Sequence, residues 1–186
     1  EFRAMLEKLG RTTHIFSGPA MTSEEMVLES IVKAVKYMSP RKIGALVAIE
    51  GARTLQEYRS TGMELDATVS GELLINIFIP NTPLHDGAVI IKDNKVAVAS
   101  AYFPLSESAG ISKEFGTRHR AAIGLSEVSD AFVFVVSEET GGLSIAVNGN
   151  FRHDLTMEEF EASLRSHLIS ESETPTSWWK RLGGQD

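Results

Sequence analysis

Three short stretches hold the residues whose types and spacing could do chemistry. The first, Pro80-Asn81-Thr82-Pro83-Leu84-His85-Asp86-Gly87-Ala88-Val89-Ile90-Ile91, sets an imidazole, a carboxylate and a glycine directly before an apolar, β-branched run. A carboxylate at the mouth of a buried strand, followed by glycine, suits a place where backbone and ligand come close. Asp86 could hold a divalent cation or take a proton from a hydroxyl, and His85 could be a second metal ligand. Asp-Gly is also among the commonest turn dipeptides, and the nearby prolines belong in turns. On this stretch alone, the turn is the better reading.

The second stretch is Gly116-Thr117-Arg118-His119-Arg120-Ala121-Ala122. If Thr117 caps a helix, two arginines fall in its first turn, where cations oppose the macrodipole at a cost of about 0.3–1 kcal/mol each. A bound anion reverses that penalty. Free N–H groups, a capping hydroxyl and two guanidinium forks together make a phosphate cradle. Pairing with surface carboxylates is the plainer alternative, but the cations are wrong for a purely structural helix start, so the phosphate reading leads. The third stretch, Ser137-Glu138-Glu139-Thr140-Gly141-Gly142, follows an apolar run and gathers a hydroxyl, two carboxylates and glycines. Carboxylates beside a triphosphate make sense only through a metal. By itself this stretch reads as a charged hairpin loop.

Tyr102-Phe103 could stack on a nucleobase, although aromatics at strand ends are more often core. His14, His153 and His167 have no metal-ligand spacing. No GxxxxGK[ST] or GxGxxG occurs, so neither a P-loop nor a Rossmann nucleotide site is supported. Trp178-Trp179-Lys180-Arg181, in a polar tail, could dock a partner or a membrane surface, or be a disordered end.

The 186 residues carry a formal charge of −7 and no cysteine. Such a length suits about one domain with a substantial core. No general field draws an acidic chain onto nucleic acid, so a polyanionic substrate must meet a local basic cluster or metal ions. Lack of cysteine excludes disulfides, thiolate zinc sites and a cysteine nucleophile. No apolar run approaches the roughly 18 residues of a membrane span, and no signal peptide is visible. The chain starts without methionine and reads as a processed or excised fragment.

The elements that must position these stretches are legible from periodicity. Residues 1–10 form a charged amphipathic segment. Thr22 and Glu25 spell a capping box for a helix striped by Val27, Ile31, Ala34, Val35 and Met38, which Ser39-Pro40 stops. A buried strand is expected over 43–50, with short helices over 54–62 and over 70–78, the latter capped by Ser70. Residues 88–92 and 95–103 read as a hairpin around Asp93-Asn94. Val96 to Ala99 is apolar on both faces, as in a central strand. A loop (104–116), a helix capped by Thr117 (117–129) and strands at 131–137 and 142–150 follow. A helix at 156–168, striped by Phe160, Leu164 and Leu168 with His167 at its margin, precedes a polar tail. The fold class expected is α/β, a single domain with a central mixed β-sheet covered by helices.

Residues 84–91, 116–127 and 135–146 together resemble the diadenylate cyclase (DAC) domain family, in its membrane-anchored CdaA/DacA type. The family's Asp-Gly-Ala motif is Asp86-Gly87-Ala88, its Arg-His-Arg motif is Arg118-His119-Arg120, and the similarity covers most of residues 20–168. The resemblance implies condensation of two ATP into cyclic di-AMP and two pyrophosphates, with Mn2+, Mg2+ or Co2+. It implies that Asp86 binds metal and helps deprotonate a ribose 3′-hydroxyl, while Gly87 and Ala88 let the nucleotide approach the backbone. Thr117, Arg118, His119 and Arg120 would bind phosphates with help from Ser137. His85 and Glu139 would be further metal ligands, and Leu46, Tyr102 and Phe103 would wall an adenine pocket.

By the same resemblance, residues 1–19 would be a juxtamembrane helix and linker, 20–169 the catalytic domain, and 170–186 a flexible tail. The domain would face the cytoplasm from a membrane-anchored parent, with a YbbR-domain regulator and phosphoglucosamine mutase as partners. Symmetry adds an expectation of its own. Cyclic di-AMP is two-fold symmetric and only one set of motifs is present, so two chains meeting face to face, each with one ATP, supply the geometry. A nucleotide-binding sensor without turnover and a metal-dependent phosphoesterase using His85, Asp86 and Glu139 are the alternative functions.

Overall fold

A computed structural model describes residues 21–108, 112 and 115–172. The expectations for 1–19 and for the Trp178-Trp179 tail lie outside the described residues. The elements run α1 (Ser23–Met38), a 3-10 turn (Ser39–Arg41), β1 (Ala45–Ile49), α2 (Gln56–Arg59), β2 (Met63–Thr68), α3 (Gly71–Phe78), β3 (Ala88–Lys92) and β4 (Lys95–Ala101). Then come α4 (Thr117–Val128), β5 (Phe132–Val136), β6 (Leu143–Val147), β7 (Asn150–Leu155) and α5 (Met157–Ser172).

The strands make one seven-stranded mixed sheet in the order β2-β4-β3-β1-β5-β6-β7. β1 and β3 run parallel, and the other neighbouring pairs are antiparallel. Side chains alternate across it, because successive residues of a strand face opposite ways. Ala45, Val47 and Ile49 of β1, with Phe132, Phe134 and Val136 of β5, enter a core covered by α1, α3 and α5. Leu46 and Ala48, with Val133 and Val135, enter a second core beneath Ala121, Ala122 and Leu125 of α4. Both faces are covered, which is why β1, β3 and β5 are continuous apolar runs.

Local signals explain the helices. The Thr22–Glu25 capping box forms as expected, and Ser70 accepts the Leu73 N–H at 3.2 Å to start α3. Thr156 and Glu159 form a second box at the start of α5, which runs on to Ser172.

Three expectations need correction. Thr117 is not a cap: extended Gly116 is, and no side chain caps α4. Residues 142–150 are not one strand, because Asn148 and Gly149 take φ of 49° and 76° and turn the chain into the β6–β7 hairpin. β4 ends at Ala101, so Tyr102 and Phe103 follow the strand instead of completing it. β2 and β7 carry no strand pattern of their own, because Met63–Thr68 and Asn150–Leu155 are largely exposed and partly charged, as edge strands that resist further pairing are.

Register decides where the site lies. Ala45 pairs with Val136, Ala88 with Ala101, and Val136 with Leu143. One end of the sheet therefore gathers the start of β3, the end of β4, the end of β5 and the turn into β6.

Candidate active site

Asp86-Gly87 leads into β3 at that end of the sheet. Gly87 has φ +92°, and an added Cβ would lie 2.9 Å from the Ala101 carbonyl oxygen. A side chain there would carry about 1–2 kcal/mol of backbone strain and press on β4. Asp86 is exposed. The His85 Nδ1 lies 2.6 Å from the Thr82 carbonyl oxygen. That oxygen can only accept, so Nδ1 is the donor and Nε2 is the ring nitrogen left for another partner. Ala88 is fully buried.

Arg118 ties the second stretch to the first and the third. Its Nη2 donates to the His85 carbonyl at 3.5 Å, and its Nη1 donates to Glu138 at 2.6 Å. Its Nε is buried without a hydrogen-bond partner. The guanidinium thus sits between the Asp-Gly-Ala loop and the β5–β6 turn with a donor to spare. With no side-chain cap, the first N–H groups of α4 are also open to an anion.

Ser137 accepts the Glu139 and Thr140 N–H groups, each at 3.2 Å. With both lone pairs occupied, its O–H is left to donate. Residues 116–119 and 135–139, Thr117 and Glu139 among them, line one shallow pocket of about 30 Å³. Larger grooves of about 860 and 540 Å³ lie elsewhere and contain none of the motif residues.

His119 is buried under an aromatic cluster, with ring centroids 5.1 Å from Phe115 and 6.2 Å from Phe151. Burial pushes its pKa down, with smaller contributions from His153 and Arg118 in the same direction; Glu139 and Asp154 pull the other way. The unfolded imidazole therefore binds a proton more readily than the folded one, and stability is lost as pH falls below about 6.5. His119→Asn is expected to lose less stability than the parent chain between about pH 7.5 and pH 5.5, read as the change in urea midpoint. Equal losses in the two chains would contradict this.

The structure separates the two arginines. Successive helical residues turn by about 100°, so residues two apart point to nearly opposite sides. Arg120 accordingly reaches away from Arg118 and donates to the Ser106 carbonyl at 3.1 Å. Leu46 and Phe103, only 3% and 8% exposed, share the core beneath α4, whereas Tyr102 is 62% exposed. Nothing in the Glu138-Glu139 pair of the sequence says which carboxylate faces the arginine; the fold turns Glu138 to Arg118. Among the described residues no three His, Asp or Glu side chains form a ready metal cage.

Comparison with known proteins completes the picture. Residues 32–151, which include all three motif stretches, match the DAC family model described as DisA bacterial checkpoint controller nucleotide-binding. The chain is 50% identical over 185 residues to cyclic di-AMP synthase CdaA of Bacillus subtilis, covering 97% of this chain and 68% of that protein. It is 48% identical over 189 residues to a diadenylate cyclase of Listeria monocytogenes, covering 100% and 69%.

Among solved structures, a double mutant of DacA from Staphylococcus aureus matches with a TM-score of 0.77 and 53% identity, over 78% of this chain and 97% of that one. A hypothetical membrane spanning protein from Bacillus cereus matches with a TM-score of 0.66 and 47% identity, over 69% and 63%. Sheet, motif placement and identity over nearly the whole length agree: the chain belongs to the diadenylate cyclase (DAC) domain family.

Proposed function

We propose that the chain is a diadenylate cyclase that condenses two ATP into cyclic di-AMP with release of two pyrophosphates. One observation carries the reading. The Arg118 guanidinium touches both the loop holding Asp86 and the turn holding Ser137, Glu138 and Glu139. A base for a hydroxyl and a cation for phosphate are thereby fixed at one end of one sheet.

In each of two transfers, a ribose 3′-oxygen attacks an α-phosphorus, the new P–O bond forms and the bond to pyrophosphate breaks. Asp86 takes the hydroxyl proton. Arg118, the α4 amides and the Thr117 hydroxyl receive the phosphates, and the free Ser137 O–H donates to the same group. Gly87 presents bare backbone to the nucleotide, with buried Ala88 anchoring the loop behind it. Leu46 and Phe103 back the adenine while exposed Tyr102 offers a ring face.

Asp86, His85 and Glu139 are the candidate ligands of a divalent cation, Mn2+, Mg2+ or Co2+. They form no cage by themselves, so substrate phosphate oxygens would complete the coordination, and the ion when bound would neutralise a triphosphate beside these carboxylates. The donor set fits, because such ions are commonly held by one or two carboxylates plus substrate phosphate oxygens. His119, kept neutral by burial, packs the start of α4 and can give a phosphate a hydrogen bond without adding charge.

Each chain holds one ATP, and two chains meet face to face so that each nucleotide is both attacker and target. The match to a Bacillus cereus protein described as membrane spanning supports a membrane-anchored parent. No helix of the described residues is itself long and apolar enough to cross a membrane.

Incubation with ATP and Mn2+, followed by mass analysis, tests the reading. Cyclic di-AMP with two pyrophosphates per product is expected. AMP or phosphate would indicate a phosphoesterase, and bound but unchanged ATP a sensor.

A further inference from the structure

We propose that one face of α4, made by Arg120, Gly124 and Glu127, is a clamp that sets the base-binding wall of the nucleotide site. Arg120 and Glu127 are then positioning residues for recognition of the purine. The inference rests on the reading above that Tyr102 and Phe103 form that wall.

Positions 120, 124 and 127 are four and three apart, so they fall on one side of the helix. None of them is an apolar packing residue, yet the chain leaving β4 lies directly across them. Gly124 lets it approach: an added Cβ would sit 2.0 Å from the Pro104 carbonyl oxygen and 2.8 Å from the Ser106 nitrogen. A glycine in mid-helix costs about 1 kcal/mol relative to alanine, and this contact is the reason alanine cannot stand there.

Arg120 grips Ser106 twice. Its carbonyl accepts the Ser106 N–H at 3.0 Å, and its Nη2 donates to the Ser106 carbonyl at 3.1 Å. Glu127 closes the clamp by accepting the Ser106 hydroxyl at 2.7 Å, and that hydroxyl oxygen accepts the Ser108 N–H at 3.3 Å. Opposite charges thus converge on one buried serine.

Ser106 lies three residues beyond Phe103, with Pro104 between them to limit the backbone. At the other end the Tyr102 N–H donates to the Thr61 hydroxyl at 2.9 Å. Phe103 sits edge-on to Tyr58, with centroids 5.9 Å apart. The wall is therefore pinned on both sides, and its outer pin is the α4 clamp. Arg120, turned to this task, is not aimed at the phosphates.

The test measures KM and kcat for ATP in Arg120→Met, Glu127→Ala, their double variant and Glu127→Gln, together with amide hydrogen exchange at Ser106 and Ser108. Each single variant is expected to raise KM by about five- to ten-fold, the loss of one or two hydrogen bonds, with kcat much less affected. The double variant should be little worse than the worse single one, since both break one device. Glu127→Gln keeps an acceptor for the Ser106 hydroxyl and should stay within about two-fold of the parent. Exchange at both amides should quicken in step with KM.

If Arg120→Met does not fold, Ser106→Ala removes one hydroxyl only and is expected to raise KM in the same direction. A fall in kcat at unchanged KM and unchanged exchange in Arg120→Met would mean that Arg120 serves the phosphates, and would overturn the clamp. So would lower melting temperatures with unaltered KM, which indicate packing alone. Should the parent chain bind ATP and make no cyclic di-AMP, the functional reading fails instead. The clamp is then judged on the ATP dissociation constant and the exchange rates, and unchanged values in the variants would overturn it.

Discussion

Asp86→Asn is expected to fold and melt like the parent chain, bind ATP, and form cyclic di-AMP about 10³-fold more slowly, within the range for loss of a positioned base. The separation of fold from activity follows from position. Asp86 is exposed and makes no hydrogen bond or ion pair among the described residues, so an asparagine of the same shape removes nothing from the core. It does remove the proton acceptor and one negative charge from the proposed cation site. Excess Mn2+ is therefore expected to restore little, because occupancy alone does not return the base. Steady-state rates with circular dichroism and thermal melting check this. Activity within ten-fold of the parent would assign the hydroxyl proton to another group.

The second large effect belongs to Arg118. Arg118→Ala deletes the guanidinium that bridges the His85 carbonyl and Glu138, and it is expected to lower kcat/KM by about 10²–10³-fold, as for removal of one donor to a developing anion. Arg118→Lys keeps a charge but not the fork, so it should fall between the two. The ion pair with Glu138 sharpens the expectation. Glu138 is well exposed and Arg118 mostly covered, so the pair gives little stability and the carboxylate can yield when phosphate arrives. Glu138→Gln should leave melting nearly unchanged and tighten ATP binding. ATP binding that ignores Arg118 would place the triphosphate elsewhere.

Much of this was legible in the chain itself. The capping box at Thr22, the Ser70 cap and the stripe of α1 each state a helix in local terms that packing did not overrule. Apolar runs stood out as strands because both faces of the central sheet are covered. Edge strands did not, since β2 and β7 mix charges with few core side chains, and their pairing comes from the sheet and not from their own pattern. Asn148-Gly149, a strong hairpin dipeptide, marks the β6–β7 turn, although it follows an apolar run that alone reads as one strand.

At the candidate site, sequence marked three stretches that the fold brings together but could not orient their side chains. Arg118 and Arg120 look equivalent in a row of letters; helical rotation sends one to the pocket and the other to Ser106. The Thr117 hydroxyl looked like a cap, yet Gly116 occupies that position in extended form. No local pattern marks Glu127 or Ser106 as partners, because their contact joins residues 21 positions apart.

In the proposed reaction each chain builds one nucleotide site at the end of the sheet, and two such sites must face each other to react. Specific activity measured across a protein dilution series, with ATP and Mn2+ saturating, tests it most directly. Activity per chain is expected to fall as the pair dissociates, and to follow the dimer fraction determined in parallel by ultracentrifugation. Activity per chain that stays constant down to fully monomeric protein would contradict it.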